Sequence, residues 1–345
     1  MPMSKRHKAV LVIGATLFLF LSISYAVFYH YYSMMNYEET EEEISISFAE
    51  DETVENLPEG NIGDQTYLDG EIRDNLSNVE LLQSKDVTNI LLIGTDSRGK
   101  DRGRSDAMIL LSVNSRKKTL TLTSFLRDIY VRIPGAGNNR LNSAYAYGGA
   151  SLLIKTLREN FGIVVDRYAR VDFFSFIDII DALGGVSLNV TGDEIGQINS
   201  NLKEINKIKG LPVNTHSLKT SQAGTIRLNG SQTLAYARIR KIGTDVARAE
   251  RQRKILTALI KEFKGAGIKE LNALLTKVLP LVSTDLKQSD LLRIISMSGS
   301  FRNYSVNSQS VPAKGTYSFV TINKMSVISI DFDENIKMLK DTVYG

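Results

Sequence analysis

The 345-residue chain contains no cysteine and only three histidines, and these shortages remove whole classes of chemistry. Without thiols there is no disulfide framework, no thiolate nucleophile and no cysteine-ligated metal. His7 and His30 flank a long apolar run near the N-terminus, and His216 sits in a Lys/Asn/Ser-rich loop without catalytic neighbours. A serine–histidine–aspartate hydrolase is therefore not expected. Positive charge is also missing, from Tyr31 to Ile72, while Glu38, Glu39, Glu41, Glu42, Glu43, Glu50, Asp51, Glu52 and Glu55 accumulate. Such a stretch reads as a solvated, self-repelling linker, with an acidic recruiting tail as the alternative. The net charge of +4 is too small to imply a nucleic-acid footprint. No internal repeat and no helix-turn-helix pattern is evident.

What is present begins with topology. Lys5, Arg6 and Lys8 precede an uncharged apolar run from Ala9 to Tyr29. As a helix that run spans about 31 Å, the thickness of a hydrocarbon core. Basic residues before it and acidic residues after it place the N-terminus in the cytoplasm, and Tyr25, Tyr29, Tyr31 and Tyr32 suit the outer interface. A cleaved signal peptide is the rival reading, but the run is long for one and no A-x-A site follows. The expected organisation is a cytoplasmic tail (1–8), a single transmembrane anchor (9–29), an acidic extracytoplasmic linker (30–86) and an extracytoplasmic domain (87–345).

Within that domain, Asn89–Ile93 and Ala107–Val113 read as buried strands. Thr119–Phe125 alternates Leu120, Leu122 and Ser124 against threonines and completes a hairpin across the Asn114–Lys117 turn. Gly148-Gly149 opens a helix, Tyr168–Val171 is a strand, and Phe173–Leu183 is an apolar helix stopped by Gly184-Gly185. Val186–Val190 is a strand, and Gln232–Ala237 and Val246–Phe263 are helices. A helix at Ser289–Met297, short strands and a final helix near Asp333–Val343 close the chain. Strands alternating with helices predict an α/β domain, a mixed central sheet with helices on both faces.

Charged residues gather at the predicted strand ends. Gly94-Thr95-Asp96-Ser97-Arg98-Gly99-Lys100 matches most of a P-loop, but Asp101 replaces the magnesium-binding hydroxyl and no helix follows, so a nucleotide triphosphatase is not expected. Asp96 follows one strand and Asp106 precedes the next. With Arg98 and Arg104 beside them they read as a carboxylate pair for Mg2+ shared with phosphate oxygens, Mn2+ being the alternative ion. Taken singly, each aspartate is a turn cap. Arg127, at the end of the Thr119–Phe125 strand, reads equally as an anion ligand or as one half of a salt bridge with Asp128. Arg238 and Arg240, spaced i, i+2, share a face only on extended chain, so the preceding helix ends near Tyr236. Arg248, Arg251 and Gln252 fall on one helix face, with Arg253 and Lys254 solvated. Arginine suits bidentate phosphate contacts. Phe173, Phe174 and Phe176 are core residues or the wall of a tunnel for a long hydrocarbon.

These segments together resemble the LytR–CpsA–Psr family. The resemblance is carried by Gly94–Arg98, Arg104-Ser105-Asp106, Ser124–Asp128, Leu141–Tyr145 with Gly148-Gly149, Val171–Phe173 with Leu183–Val186, Leu228–Gly230 with Ala235–Arg240, and Asp245-x-x-Arg248-x-x-Arg251-Gln252. It covers about Thr88 to Phe263, and the tail fits loosely. It implies a membrane-anchored phosphotransferase of Gram-positive-type envelopes, moving a glycopolymer such as teichoic acid or capsule from an undecaprenyl diphosphate carrier to peptidoglycan. On that reading Arg98, Arg104, Arg127, Asn142, Arg238, Arg240, Arg248, Arg251 and Gln252 bind substrate. Arg127, Arg238, Arg240 and Asp96 serve catalysis. Asp96 and Asp106 hold the metal, and Phe173, Phe174 and Phe176 line the lipid tunnel. A polyprenyl-diphosphate pyrophosphatase and a non-enzymatic envelope or transcription regulator remain as alternatives. Leu126 stands where the family usually has proline, and Arg140 where a lysine is common.

Overall fold

The computed structural model describes residues 29–40, 61–62, 64–97, 102–265, 273, 276–287, 289–290, 301–322 and 324–345. The expected cytoplasmic tail, the anchor up to position 28, Arg98 and most of the expected helix at Ser289–Met297 lie outside them. Among the described residues no helix is long and apolar enough to cross a membrane.

Short strands β1 (Asn36–Tyr37) and β2 (Asn61–Ile62) precede helix α1 (Gln65–Asn78). Strands β3 (Val87–Thr95), β4 (Ser105–Asn114) and β5 (Thr119–Phe125) are successive antiparallel neighbours. The hairpin β6 (Tyr130–Ile133) and β7 (Gly137–Arg140) feeds α2 (Leu141–Phe161), and β8 (Arg167–Asp172) then runs parallel to β3. Next come α3 (Phe173–Ala182), β9 (Val186–Val190), α4 (Gly192–Ile208), β10 (Gly224–Leu228), α5 (Gly230–Ala237) and α6 (Asp245–Gly265). Strands β11 (Ser283–Thr284), β12 (Ser305–Val311), β13 (Tyr317–Ile322), β14 (Met325–Ile330) and helix α7 (Phe332–Leu339) complete the order. The central sheet reads β1-β11-β8-β3-β4-β5-β12 and is mixed, as expected.

Side-chain alternation on the central strands separates two layers. Leu91 and Ile93 of β3 and Met108 and Leu110 of β4 point into one core with Leu152, Leu157 and Phe161 of α2. Leu92, Ile109 and Leu111 point the other way, toward α3 and α6, where they meet an open cavity. Each fully buried aliphatic chain contributes about 1.5–3 kcal/mol. The first face therefore carries the stability, and the second is free to hold something else. A separate core of Ile195, Ile198 and Leu202 with Val186, Leu188, Ile177 and Tyr236 ties α3, α4, α5 and the β9–β10 hairpin into one layer.

Three expectations need correction. The acidic linker does not extend to residue 86. α1 lies inside that stretch, Asp64 caps it, and Leu68 and Ile72 join the main core. Their i, i+4 spacing is a helical face that the surrounding acids obscure. The helix expected to open at Gly148 begins at Leu141 and bends at Gly148-Gly149, where Gly149 has φ +65°. Arg253 is not solvated. It is 7% exposed, and its Nε and Nη1 have no hydrogen-bond partner among the described residues. One departure from the family pattern has a consequence: the Leu126 amide donates to Val311 O at 2.9 Å, a bond that a proline could not make.

Candidate functional site: a guanidinium cluster over an apolar cavity

Asp96 follows β3 and Asp106 lies in β4, on strands paired up to Thr95 and Ser105. Their surroundings differ. Asp96 Oδ1 accepts the Arg104 amide at 2.7 Å and so closes the intervening loop. Gly103, at φ +70°, lets that loop approach, since a Cβ there would stand 2.8 Å from Asp96 Oδ1. Asp106 is instead gripped by arginines. Its Oδ1 lies 3.1 Å from Arg127 Nη1 and 3.6 Å from Arg240 Nη2, and its Oδ2 lies 2.9 Å from Arg248 Nη2.

Two more carboxylates close the network. Arg127 Nε contacts Asp128 at 3.2 Å and Asp245 at 3.7 Å, Arg248 Nη1 reaches Asp245 at 3.6 Å, and Arg140 lies 3.8 Å from Asp128. Burial raises the cost of charging Asp106, but Arg248, Arg127 and Arg240 overcome it and hold its carboxyl well below the usual range. Burial works against the charge on Arg127 too, and Asp128, Asp245 and Asp106 outweigh it. Asp128, fully buried beside Asp245, is pushed up despite Arg127 and Arg140. Arg240 is pushed down by burial and by the like charges of Arg248 and Arg127. Four guanidiniums thus face three carboxylates, and Arg240 is the cation the cluster balances least well.

Beneath the cluster lies a cavity of about 420 Å³. Leu92, Ile109, Leu122, Val171, Phe176 and Leu259 wall it, while Asp106, Asp172, Arg238, Arg248 and Gln252 form its polar rim. Phe173 lines it as expected and lies under the Arg238 guanidinium, 5.0 Å from ring centroid to Cζ. Phe174 does not line it. The helix turns that ring outward, 39% exposed.

The expected residues divide accordingly. Arg127, Arg240, Arg248 and Asp106 meet in one cluster, and Gln252 and Arg238 join it at the rim. Helix α5 ends at Ala237, close to the expected point, but Arg238 and Arg240 do not share a partner, since Arg238 pairs with Glu204 at 3.2 Å. Arg251 turns away from the cavity. Its Nε donates to Glu194 at 2.8 Å and its terminal nitrogens to Ile239 O and Ile242 O, so it braces the segment carrying Arg240. Glu194 also completes the Thr191 capping box of α4. Asn142 is buried, its backbone N–H donates to Arg127 O at 3.0 Å, and it does not line the cavity. Arg104 contributes its amide to Asp96. Asp128, Asp245, Arg140 and Glu204 are members that the sequence reading did not assign to the site. Asp128, next to Arg127 at the strand end, and Asp245, in the first turn of α6 three residues before Arg248, left local signals, whereas Glu204 left none.

An apolar cavity capped by an excess of guanidinium groups has the chemistry to accept an amphiphile with an anionic head. The chain belongs to the LytR_cpsA_psr family, whose model matches residues 31–341. It is 37% identical over 185 residues to the polyisoprenyl-teichoic acid–peptidoglycan teichoic acid transferase TagT of Bacillus subtilis, a match that covers 52% of this chain and 54% of that protein. It is 30% identical over 279 residues to the corresponding TagU of Oceanobacillus iheyensis, covering 77% and 78%. The fold resembles that of a LytR-CPS2A-psr family protein, YwtF (TagT), with bound octaprenyl pyrophosphate lipid. The TM-score is 0.55 at 27% identity, covering 78% of this chain and 95% of that one.

Proposed function

We propose that this protein is a phosphotransferase that moves a glycopolymer of the teichoic-acid or capsule type from an undecaprenyl diphosphate carrier to peptidoglycan. The run Ala9–Tyr29 would anchor it in a Gram-positive-type cell membrane, with the N-terminus cytoplasmic and the domain outside. The observation that carries the reading is the excess cation, Arg240, which faces Asp106 on the rim of an apolar cavity. A diphosphate supplies the missing negative charge, and a polyprenyl tail fills the cavity. The transferases TagT and TagU, named for that reaction, lend it support.

The chain's own part in the reaction is positioning and charge stabilisation. Arg127, Arg240 and Arg248 neutralise the diphosphate, Arg238 and Gln252 hold it at the rim, and Arg98 and Arg104 add further positive charge for it. An acceptor hydroxyl of peptidoglycan attacks the phosphorus that bears the glycopolymer. The bond to the bridging oxygen breaks, polyprenyl phosphate leaves, and the hydroxyl proton passes to Asp96. Among the described residues no group of three or more His, Cys, Asp or Glu side chains could hold a metal ion. Asp96 and Asp106 would be the protein's two hard oxygen ligands for Mg2+ (or Mn2+). When bound there, the ion would supply further neutralisation of the departing phosphate.

The test uses the full chain, purified polyprenyl-diphosphate-linked polymer and peptidoglycan. Polymer covalently attached to peptidoglycan is the expected product, whereas free polymer phosphate with no attached polymer assigns a pyrophosphatase instead. Leu256→Trp, placed in the cavity wall, should reduce turnover of long polyprenyl carriers by about tenfold or more and spare short-chain ones. Equal loss on both carriers would remove the hydrocarbon from the cavity.

A further inference from the structure

The end of α4 and the loop that leads on to β10 hold three aliphatic side chains in solvent. Ile208, Leu211 and Val213 are 43%, 36% and 51% exposed. Lys203, Lys207, Lys209 and Lys219 flank them in sequence, all exposed. The acid within this set, Glu204, is engaged by Arg238. This display is built into the fold. Asn206 is fully buried, and its Nδ2 donates to Val213 O at 3.0 Å and Thr215 O at 2.8 Å, while its backbone carbonyl accepts the Leu211 amide at 2.8 Å. Asn199 clamps Leu218 through both its amide oxygen and its Nδ2, at 2.9 and 2.8 Å, and Gln232 Nε2 donates to His216 O at 2.8 Å. The backbone is satisfied from the inside, and the aliphatic chains are left facing outward.

We propose that this tip docks on an anionic bilayer surface, its aliphatic side chains entering the headgroup layer and its lysines pairing with lipid phosphates. Clustered lysines attract anionic lipid, and exposed aliphatic groups gain by partial burial in the interface. An anionic polysaccharide would engage the lysines, but it gives Ile208, Leu211 and Val213 nothing to bury against. The tip is also linked to the cavity rim. Glu204, in the same helix, holds Arg238, and Asn201 Nδ2 donates to Ala235 O at 2.9 Å, one turn before the rim arginines. Docking here brings the cavity to the surface from which a lipid-tailed substrate must come. That purpose rests on the proposed function, whereas the docking itself does not.

Because the chain lacks cysteine, Val213→Cys gives a single labelling site for an environment-sensitive fluorophore, and Ser77→Cys on the outer face of α1 gives a control. The full chain is reconstituted in phosphatidylcholine vesicles with or without phosphatidylglycerol and a lipid-borne quencher. The Val213 probe should be quenched in the anionic vesicles and the Ser77 probe should not. Quenching should fall about tenfold without phosphatidylglycerol, or in a Lys203→Gln/Lys207→Gln/Lys209→Gln variant. That variant should keep wild-type turnover of detergent-dispersed substrate and lose about tenfold on substrate embedded in anionic vesicles. A Val213 probe quenched no more than the Ser77 probe overturns the proposal. So does a probe that responds to soluble poly(glycerol phosphate) but not to vesicles, which would reassign the tip to an anionic polymer. Probe insertion without any turnover leaves the docking standing and removes the proposed reaction; turnover without insertion does the reverse.

Discussion

Replacing Asp106 by alanine should cost about 3–5 kcal/mol of folding stability, because breaking a buried ion network strands the remaining charges. Arg127 and Arg248 have side chains only 11% and 3% exposed, and with Arg240 they converge on this one carboxylate. Without it, three guanidiniums repel one another in a site from which water is largely excluded. Denaturant unfolding measures the loss, and inorganic diphosphate should recover much of it by taking the place of the missing anion. An unchanged midpoint would show that the cluster is not held by Asp106. Acid titration adds a sign. The carboxyl of Asp106 is held below its ordinary 3.8, so its contribution is complete above that value and is lost as pH falls beneath it. Asp128 is shifted the other way by burial and by Asp245. The folded chain takes up that proton first, and acidification toward 3.8 favours the fold. In Asp106→Asn the first effect is gone and the second remains. Its stability, lower at neutral pH, should hold or rise on acidification toward about pH 4, and the steep loss below that should be blunted.

What the sequence made legible follows from how local each signal is. The central strands declare themselves by apolar runs closed at Gly94 and Asn114, and the end of α5 by the i, i+2 spacing of Arg238 and Arg240. The anion site was legible as charge at strand ends, because strand ends converge at one sheet edge. Which arginine faces the ligand was not. Arg251 flanks Arg248 and Gln252 on the helix, and its direction is decided by Glu194, a partner 57 residues away. Arg238 is likewise turned by Glu204, 34 residues away. Helix α4 has Ile195, Ile198, Leu202 and Ile205 at helical spacing behind a capping box, yet charged residues on its outer face and Gly196 within it concealed the pattern. Three phenylalanines in four positions of α3 suggested a common wall. At about 100° per residue they cannot all face one way, and Phe174 is the one turned out. The close crossing of α5 over α3 rests on Gly230, where a Cβ would stand 2.2 Å from Ile177 O, and nothing local marks that glycine as a contact.

Arg240→Ala should leave the fold intact and reduce transfer by about 10²–10³-fold in kcat, the usual cost of removing one preorganised charge-stabilising donor. The two halves of this expectation have the same origin. Of the three guanidiniums around Asp106, Arg240 has the most exposed side chain, at 42%, and the longest contact, at 3.6 Å. Arg127 and Arg248 are locked into the fold by Asp128 and Asp245 as well as by Asp106. Removing Arg240 leaves Asp106 with two strong partners and relieves the repulsion that burial, Arg248 and Arg127 impose on Arg240 itself. Stability should therefore change by less than about 1 kcal/mol, because the lost contact is long and its guanidinium partly open to solvent. The diphosphate loses the group least committed to the protein and hence freest to follow charge as it shifts to the leaving phosphate. Arg240→Lys keeps the charge but not the planar fork, and it should recover part of the rate. Initial rates on purified lipid-linked substrate, read beside thermal unfolding of the same samples, separate the two effects. Near-normal turnover in Arg240→Ala would move the catalytic role to Arg127 and Arg248, whose removal should then cost both activity and fold.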